Sequence, residues 1–151
     1  MEEGFIDPHL LKKIKLILGI CLLAGILIYL FSTRSEEISV AIKDDHMSLS
    51  YSSGDSFDIK YRDILSVTEI QDLDLGKYVS GIETKRYKFG VWDNDEFGEY
   101  NLCIYANVVH YIVVETSDGV FVLNFESEDA TDSFYKAFLK LLQTKRAETA
   151  P

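Results

Sequence analysis

The chain changes its hydrophobic pattern twice. Residues 16–31, LILGICLLAGILIYLF, are apolar and carry no charge. From residue 38 onward, short segments alternate apolar and polar positions, which predicts β-strands because successive side chains of a strand point to opposite faces. From residue 127 onward, the apolar positions recur at spacings of three and four, which predicts an amphipathic helix. We therefore expect an apolar segment, a β domain and a terminal helix, in that order.

The apolar segment has the composition of a membrane anchor. As a helix, residues 16–31 would span about 24 Å, and the flanking residues extend the segment to 14–33, long enough for a hydrocarbon core of about 30 Å. A buried core helix is disfavoured because every face of the segment is apolar. The other alternative is a cleaved signal peptide, for which Thr33-Arg34-Ser35 is only a weak cleavage site. We predict an uncleaved transmembrane helix over residues 14–33, preceded by a tail over residues 1–13.

The basic residues that flank this segment predict its orientation. Lys12, Lys13 and Lys15 precede it, whereas Arg34 alone follows it and is succeeded by two glutamates. Loops rich in lysine and arginine tend to stay in the cytoplasm. We therefore expect a single-pass membrane protein with a cytoplasmic N-terminus, a linker over residues 34–37 and an extracytoplasmic domain.

Six segments of the domain show strand patterns, and turns rich in Gly, Asp or Ser bound the first three. They are residues 38–43, 47–51, 57–61, 65–71, 111–116 and 121–125. Asp118-Gly119 between the last two predicts a hairpin. Residues 72–99 form a long connection for so small a domain, in which 85–89 is a further strand candidate. Long connections in compact domains are often functional.

The terminal helix is predicted over residues 127–145. Ser127 is placed to cap its N-terminus, and acidic residues follow in the first turns, where the helix dipole favours them. Residues 144–151 are expected to form a flexible tail. The helix presents one apolar stripe, formed by Ala130, Phe134, Ala137, Phe138, Leu141 and Leu142. Strands followed by one helix indicate an α+β, mainly β architecture, with the helix closing one end of an antiparallel barrel.

Three stretches of the chain resemble the bacterial pleckstrin-homology (PH) family. They are IKYRDILSV (59–67), GVWDNDEFGEYNLCIY (90–105) and YIVVETSDGVFVLNFESEDATDSFYKAF (111–138). The resemblance covers roughly residues 38–142 and implies a PH-like, seven-stranded, strongly bent antiparallel sheet capped by a C-terminal helix, here over residues 38–143. Members of the family often follow membrane segments, in agreement with the predicted anchor.

Charge and cysteine content restrict the partners. The net charge is −10, with +1 on residues 1–34 and −11 on the remainder. A domain this acidic repels phosphate backbones, which argues against nucleic-acid binding and against a broad anionic-lipid surface. Cys21 lies in the apolar segment and Cys103 in a strand pattern, so we expect neither a disulfide nor a zinc site.

The stretch DNDEFG, residues 93–98, resembles the beginning of a calcium loop. With Asp93 in the first position, Asp95 and Gly98 fit the third and sixth. Phe97 in the fifth position and Ile104 in the twelfth cannot ligate a cation. We therefore predict a polar turn whose aromatic residues belong to the core, and no metal or other cofactor.

The densest basic cluster of the domain, Lys85, Arg86 and Lys88, lies beside Tyr87 and Trp92. These five residues are our candidates for binding a ligand or a partner. The alternative is a solvated strand edge.

Phosphoinositide binding is disfavoured by the first hairpin loop. Lipid-binding relatives of the family carry basic residues there. In this chain Lys43 stands alone against Asp44 and Asp45, which removes the electrostatic basis for holding phosphates.

Nothing in the sequence indicates catalysis. His9, His46 and His110 are far apart along the chain, and the common nucleophile, zinc-protease and nucleotide motifs are absent. We expect a non-enzymatic, membrane-anchored binding or scaffolding module that contacts another membrane or membrane-associated protein. The alternatives are a receptor for a small ligand or lipid in a cleft under residues 72–99 and, more remotely, an enzyme.

Overall fold

A computed structural model describes residues 37–52 and 54–149. All of them belong to one compact unit, Glu36–Pro151. They form nine strands, a short 3-10 helix and a C-terminal α-helix. The mainly β character of the domain and its terminal helix confirm the prediction made from the hydrophobic pattern.

The first sheet has three antiparallel strands in the order β1-β2-β3. They are β1 (Ile38–Ile42), β2 (His46–Tyr51) and β3 (Ser56–Lys60). The 3-10 helix Tyr61–Asp63 follows and leads into the second sheet. These strands lie within one residue of their predicted ends, because each alternates apolar and polar positions between short polar turns.

The second sheet has six strands in the order β4-β8-β9-β7-β6-β5. They are β4 (Ile64–Gln71), β5 (Lys77–Glu83), β6 (Tyr87–Asn94), β7 (Gly98–Tyr105), β8 (His110–Thr116) and β9 (Gly119–Leu123). Neighbouring strands are antiparallel except for β7 and β9, which are parallel.

The predicted seven-stranded, wholly antiparallel sheet closed into a barrel is wrong. The described strands number nine and form two separate sheets, and both β4 and β5 remain edges of the larger one. The long connection predicted over residues 72–99 is largely the β5–β6 hairpin. Its glycines at 81 and 90 and the register shift after Tyr78 break the alternation by which strands are recognised.

One face of the six-stranded sheet packs against the three-stranded sheet and the helix to form the principal core. Met47, Leu49 and Ile59 come from the smaller sheet, and Phe89 and Ile112 from the larger one. These five side chains are at most 2% exposed. Phe57 of β3 stacks on Phe89 across the two sheets, with ring centroids 4.7 Å apart. The apolar face predicted for each early strand therefore joins one common core.

A second core lies on the opposite face of the six-stranded sheet. Its largest members are Trp92 and Tyr100, each 1% exposed. The segment 72–76, which joins the two edge strands, packs Leu73 and Leu75 against this cluster, and the Tyr100 hydroxyl donates a hydrogen bond to the Leu75 carbonyl, 2.8 Å away. Because both faces are covered, residues 110–114 form a continuous buried run.

Helix α1 spans Glu128–Thr149. Ser127 is its N-cap, since the Ala130 N–H donates to the Ser127 hydroxyl, 3.1 Å away. Phe138 and Leu142 are the fully buried members of its apolar stripe. Ala137, predicted to belong to the stripe, is exposed. The helix also continues through residues 144–149, which were predicted as part of a flexible tail.

The predicted N-terminal tail, residues 1–13, and the predicted transmembrane helix, residues 14–33, lie outside the described residues. Within the described part of the chain, no helix combines the length and the apolar composition needed to cross a membrane.

Candidate functional site

Lys85 and Arg86, the first two candidate binding residues, occupy the turn between β5 and β6. Thr84 organises this turn: its hydroxyl accepts hydrogen bonds from the backbone N–H groups of Arg86 and Tyr87, at 3.3 and 2.8 Å. Both basic side chains are exposed. The turn therefore holds two cations in solvent at the end of the hairpin.

Tyr87 differs from its two neighbours because it is buried, with 2% of its surface exposed. Its ring meets the Tyr105 ring edge to face at 5.0 Å, and the Arg86 guanidinium lies 5.1 Å from the Tyr87 ring centroid. This cation–π contact orients Arg86 along the surface of the hairpin. The Tyr87 hydroxyl is buried and has no hydrogen-bond partner among the described residues.

The remaining two candidates point elsewhere. Lys88 forms an ion pair with Glu83 across the hairpin, at 2.8 Å. Trp92 is buried in the second core, edge to face with Tyr78 at 5.3 Å. Trp92 lies five residues after Tyr87 on the same strand, which is about 17 Å and an odd number of steps. The structure therefore brings Arg86 and Tyr87 together but places Trp92 on the opposite face, so the five candidates do not form one site.

The DNDEFG stretch forms the turn between β6 and β7, as predicted. The Asn94 side-chain oxygen accepts hydrogen bonds from the N–H groups of Glu96 and Phe97, at 3.2 and 2.7 Å. Gly98 has φ +67°, which glycine adopts without strain. Phe97 packs against Tyr100 at 5.5 Å. Across the described residues, no group of His, Cys, Asp and Glu side chains is arranged to hold a metal ion.

Strand β5 is the feature that the sequence analysis missed. It is the outermost strand of the six-stranded sheet, and within the described part of the chain no strand pairs with its outer edge. Six of its seven residues are exposed. Tyr78 and Val79 are large apolar side chains with 49% and 45% of their surface exposed. The edge therefore combines backbone groups that no described strand pairs with and apolar side chains, although the Gly81 carbonyl accepts a hydrogen bond from the Tyr78 hydroxyl.

The β5–β6 hairpin depends on a close approach of two glycines. Gly81 and Gly90 are cross-strand partners, with φ of +120° and +143°. A Cβ added at Gly90 would lie 2.2 Å from the Ser80 carbonyl oxygen. Only glycine allows the two backbones to come so close, so this pair fixes the path of β5 along the edge.

A groove of about 540 Å³ lies between the β1–β2 loop, the 3-10 helix and the end of α1. Lys60, Arg62 and Lys145 line it together with three acidic residues, Asp44, Asp45 and Glu148. Asp45 accepts a hydrogen bond from His46 at 2.6 Å, which lowers the pKa of that carboxyl. The groove thus presents balanced charges rather than a cluster of cations.

The buried polar groups serve the fold. Asn124, 1% exposed, accepts a hydrogen bond from the Tyr105 N–H and donates to the carbonyls of Tyr105 and Val108. Burial raises the pKa of the Cys103 thiol to about 12, so this free cysteine is unreactive at neutral pH. His110 lies at the start of β8, with its Nε2 3.2 Å from Glu69 Oε1.

No protein-family model, curated protein or solved structure matches this chain.

Proposed function

We propose that this chain is a membrane-anchored, non-catalytic binding module that presents strand β5 to another protein. The observation that carries the proposal is the outer edge of β5, which is unpaired in the described part of the chain and almost entirely exposed. Such an edge offers a row of N–H and C=O groups to an incoming strand, and proteins that do not use their edges usually shield them.

Side chains of β5 add to the case. Tyr78 and Val79 expose nearly half of their surfaces, next to a backbone that is free to pair. The opposite edge strand of the same sheet, β4, is less exposed than β5. Leu65 is exposed there, at 68%, but most other residues of β4 are at least half-buried. Backbone pairing would give affinity at β5, and the apolar side chains would give selectivity.

We also propose a PH-like relationship for the domain. Two observations support this relationship. The domain is rich in strands and ends in one helix, and Phe138 and Leu142 of that helix pack in the core together with both sheets. The nine described strands and the parallel β7–β9 pair depart from the expected pattern of seven antiparallel strands.

The membrane anchor is part of the proposal and rests on residues 14–33 of the sequence. With the lysines at 12, 13 and 15 in the cytoplasm, the domain would lie on the extracytoplasmic side. Tethering to one membrane face raises the local concentration of the domain near membrane partners, so a weak edge contact suffices for association.

Site-specific photo-crosslinking in intact membranes tests this function. A photoreactive amino acid is placed in the full-length protein at Val79, and at Leu65 as the matched control, because both are exposed apolar residues on edges of the same sheet. We expect discrete protein adducts from position 79 and none from position 65. Equal adduct patterns from the two positions, or none from either, would refute a binding role for β5.

A further inference from the structure

The two ends of the β5 edge carry opposite charges. Asp74 precedes the strand, Asp93 lies opposite Lys77, and Asp95 is in the adjoining turn. We call these three exposed aspartates the acidic end. Lys85 and Arg86, in the turn that follows β5, form the basic end. Neither Asp93 nor Asp95 takes part in an ion pair within the described part of the chain.

The acidic end keeps an excess of negative charge. Asp93 lies between Lys77 of β5 and Glu99 of β7, so the attraction to Lys77 is opposed by a like charge directly across the β6–β7 ladder. At the other end, Glu83 already neutralises Lys88, which leaves the charges of Lys85 and Arg86 facing solvent. Each end therefore gains from a partner of opposite sign.

We infer that the partner of β5 is a second copy of this chain, paired antiparallel through the same edge; this inference rests on the proposed function. A two-fold axis near Ser80 places residue 77 of one copy beside residue 83 of the other, at both sides of the axis. The acidic end of each copy then lies beside the basic end of the other. An interface of this kind uses one self-complementary surface twice.

Tyr78 also suits an interface at this edge. It lies in β5, on the face of the sheet that carries Trp92. Tyr78 is held in place by Trp92 beneath it and by a hydrogen bond from its hydroxyl to the Gly81 carbonyl, 2.9 Å away. A rigid, half-exposed tyrosine is well suited to an interface, because little conformational freedom is lost on binding.

The edge also limits the strength of this contact. The register of β5 against β6 shifts between Tyr78 and Ser80, which leaves Val79 in a bulge. Bulges interrupt an edge ladder and restrain uncontrolled pairing. The strand is about 23 Å long, and so short an interface is weak in solution. Association would depend on the membrane, where tethering supplies a high effective concentration.

Charge complementarity favours a second copy over an unrelated partner. A wholly basic strand would satisfy the acidic end but repel the basic end, and a wholly acidic strand would do the reverse. A copy of β5 in antiparallel orientation carries the required sign at both ends. Complementary charges mainly determine the orientation and register of such a contact.

Charge exchange in the full-length protein tests the inference. The basic-end variant is Lys85→Glu with Arg86→Glu, and the acidic-end variant is Asp93→Lys with Asp95→Lys. Chains labelled at the N-terminus with a donor or an acceptor dye are reconstituted together in phosphatidylcholine vesicles, and energy transfer reports association. Each variant alone brings like charges together at both ends, so we expect its self-association to be about tenfold weaker than that of the unmodified protein.

Mixing the two variants is the decisive measurement. In the mixed pair, the unmodified acidic end of one variant lies beside the unmodified basic end of the other. The introduced glutamates likewise lie beside the introduced lysines, so energy transfer should recover. Control variants make the same net-charge changes away from β5: Lys43→Glu with Lys140→Glu, and Asp44→Lys with Glu115→Lys, all at exposed positions. These controls should associate as the unmodified protein does.

Three results would overturn the inference: random-mixing energy transfer for the unmodified protein, loss of association in the remote controls, or no recovery on mixing. Should the basic-end variant misfold, as judged by Trp92 emission, the neutral substitutions Lys85→Gln with Arg86→Gln replace it. They should weaken self-association, and mixing with the acidic-end variant should restore it in part, because the unmodified acidic and basic ends still match. Adducts from position 79 to a different protein, together with random energy transfer, would reject the second copy and leave the proposed binding function intact.

Discussion

Asn124 offers the sharpest test of how this fold is held together. It follows the last strand and is 1% exposed. Its side-chain oxygen accepts from the Tyr105 N–H at 2.7 Å, and its amide donates to the Tyr105 and Val108 carbonyls at 3.2 and 3.0 Å. The parallel pairing of β7 and β9 ends at Cys103 and Leu123. The Asn124 side chain therefore supplies hydrogen bonds just beyond the end of the backbone pairing, and these stabilise the turn that leads into β8.

The cost of removing this side chain follows from the groups it satisfies. Asn124→Ala leaves the Tyr105 N–H and the Val108 carbonyl without their partner, whereas the Tyr105 carbonyl keeps the Val108 N–H as a second donor at 3.3 Å. A buried polar group that loses its hydrogen bond costs about 1–3 kcal/mol. Since the surroundings of Tyr105 are only half-buried, we expect a total loss of about 3–5 kcal/mol. For a domain of this size, that lowers the melting temperature by roughly 12–20 °C.

Asn124→Asp separates hydrogen bonding from packing, because the two side chains have nearly the same shape. The introduced carboxylate can still accept from Tyr105 but repels the two carbonyls that the amide satisfied. Burial then raises its pKa in the folded state above the unfolded value of about 3.9. The folded state binds this proton more tightly, so the variant is least impaired below about pH 4 and loses stability as the pH rises through the folded pKa.

Urea unfolding of the full-length protein in a mild non-ionic detergent measures both effects. Trp92 is the single tryptophan of the chain and is buried, so its emission reports unfolding. Asn107→Ala, an exposed position in the same turn, is the control and should change stability by less than about 0.5 kcal/mol. The reasoning fails if Asn124→Ala costs less than about 1 kcal/mol, or if Asn124→Asp is equally destabilising at pH 4.5 and pH 7.5.

Three further predictions concern the core and the hairpin. Gly90→Ala should cost about 2 kcal/mol more than Gly119→Ala in the same urea assay, because the two glycines share a φ near +143° but only at position 90 would the added Cβ lie 2.2 Å from a carbonyl oxygen; equal costs would contradict this. In a Cys21→Ser background, the Cys103 thiol, with its pKa raised to about 12, should be alkylated at pH 8 only after unfolding; rapid alkylation of the folded protein would disprove its burial. Burial also raises the pKa of the Tyr100 hydroxyl in the folded state. The stability that the neutral hydroxyl contributes is therefore complete below pH of about 10, the unfolded pKa, and is lost as the pH rises above it. A Tyr100→Phe variant that unfolds at the same alkaline pH as the unmodified protein would count against this.

The strands with regular alternation and the terminal helix were predictable from local pattern. Met47, Leu49 and Tyr51 mark one face of β2, and all three are buried in the principal core. Ser127 was recognisable as a cap because its position precedes both the acidic first turn and the apolar stripe. These features depend on residues that are close together in the chain, so a single sequence contains the information.

The β5–β6 hairpin was not predictable in the same way. The bulge at Val79 and the glycine pair at 81 and 90 remove the alternation on which strand prediction depends. For that reason the sequence predicts only a long connection over residues 72–99, where the structure has the edge strand. The basic residues 85, 86 and 88 are close together in the sequence, but only the hairpin register places the first two in a turn and the third in an ion pair with Glu83.

The sequence by itself determined the order of the elements, the apolar face of each regular strand and the acidic character of the domain, because each depends on local periodicity or on summed charge. Only the tertiary structure decided that β7 and β9 run parallel, that the sheet is buried on both faces and that β5 is left at an edge. These outcomes depend on which distant segments pair, and the free energy of such pairing comes from contacts between residues far apart in the chain.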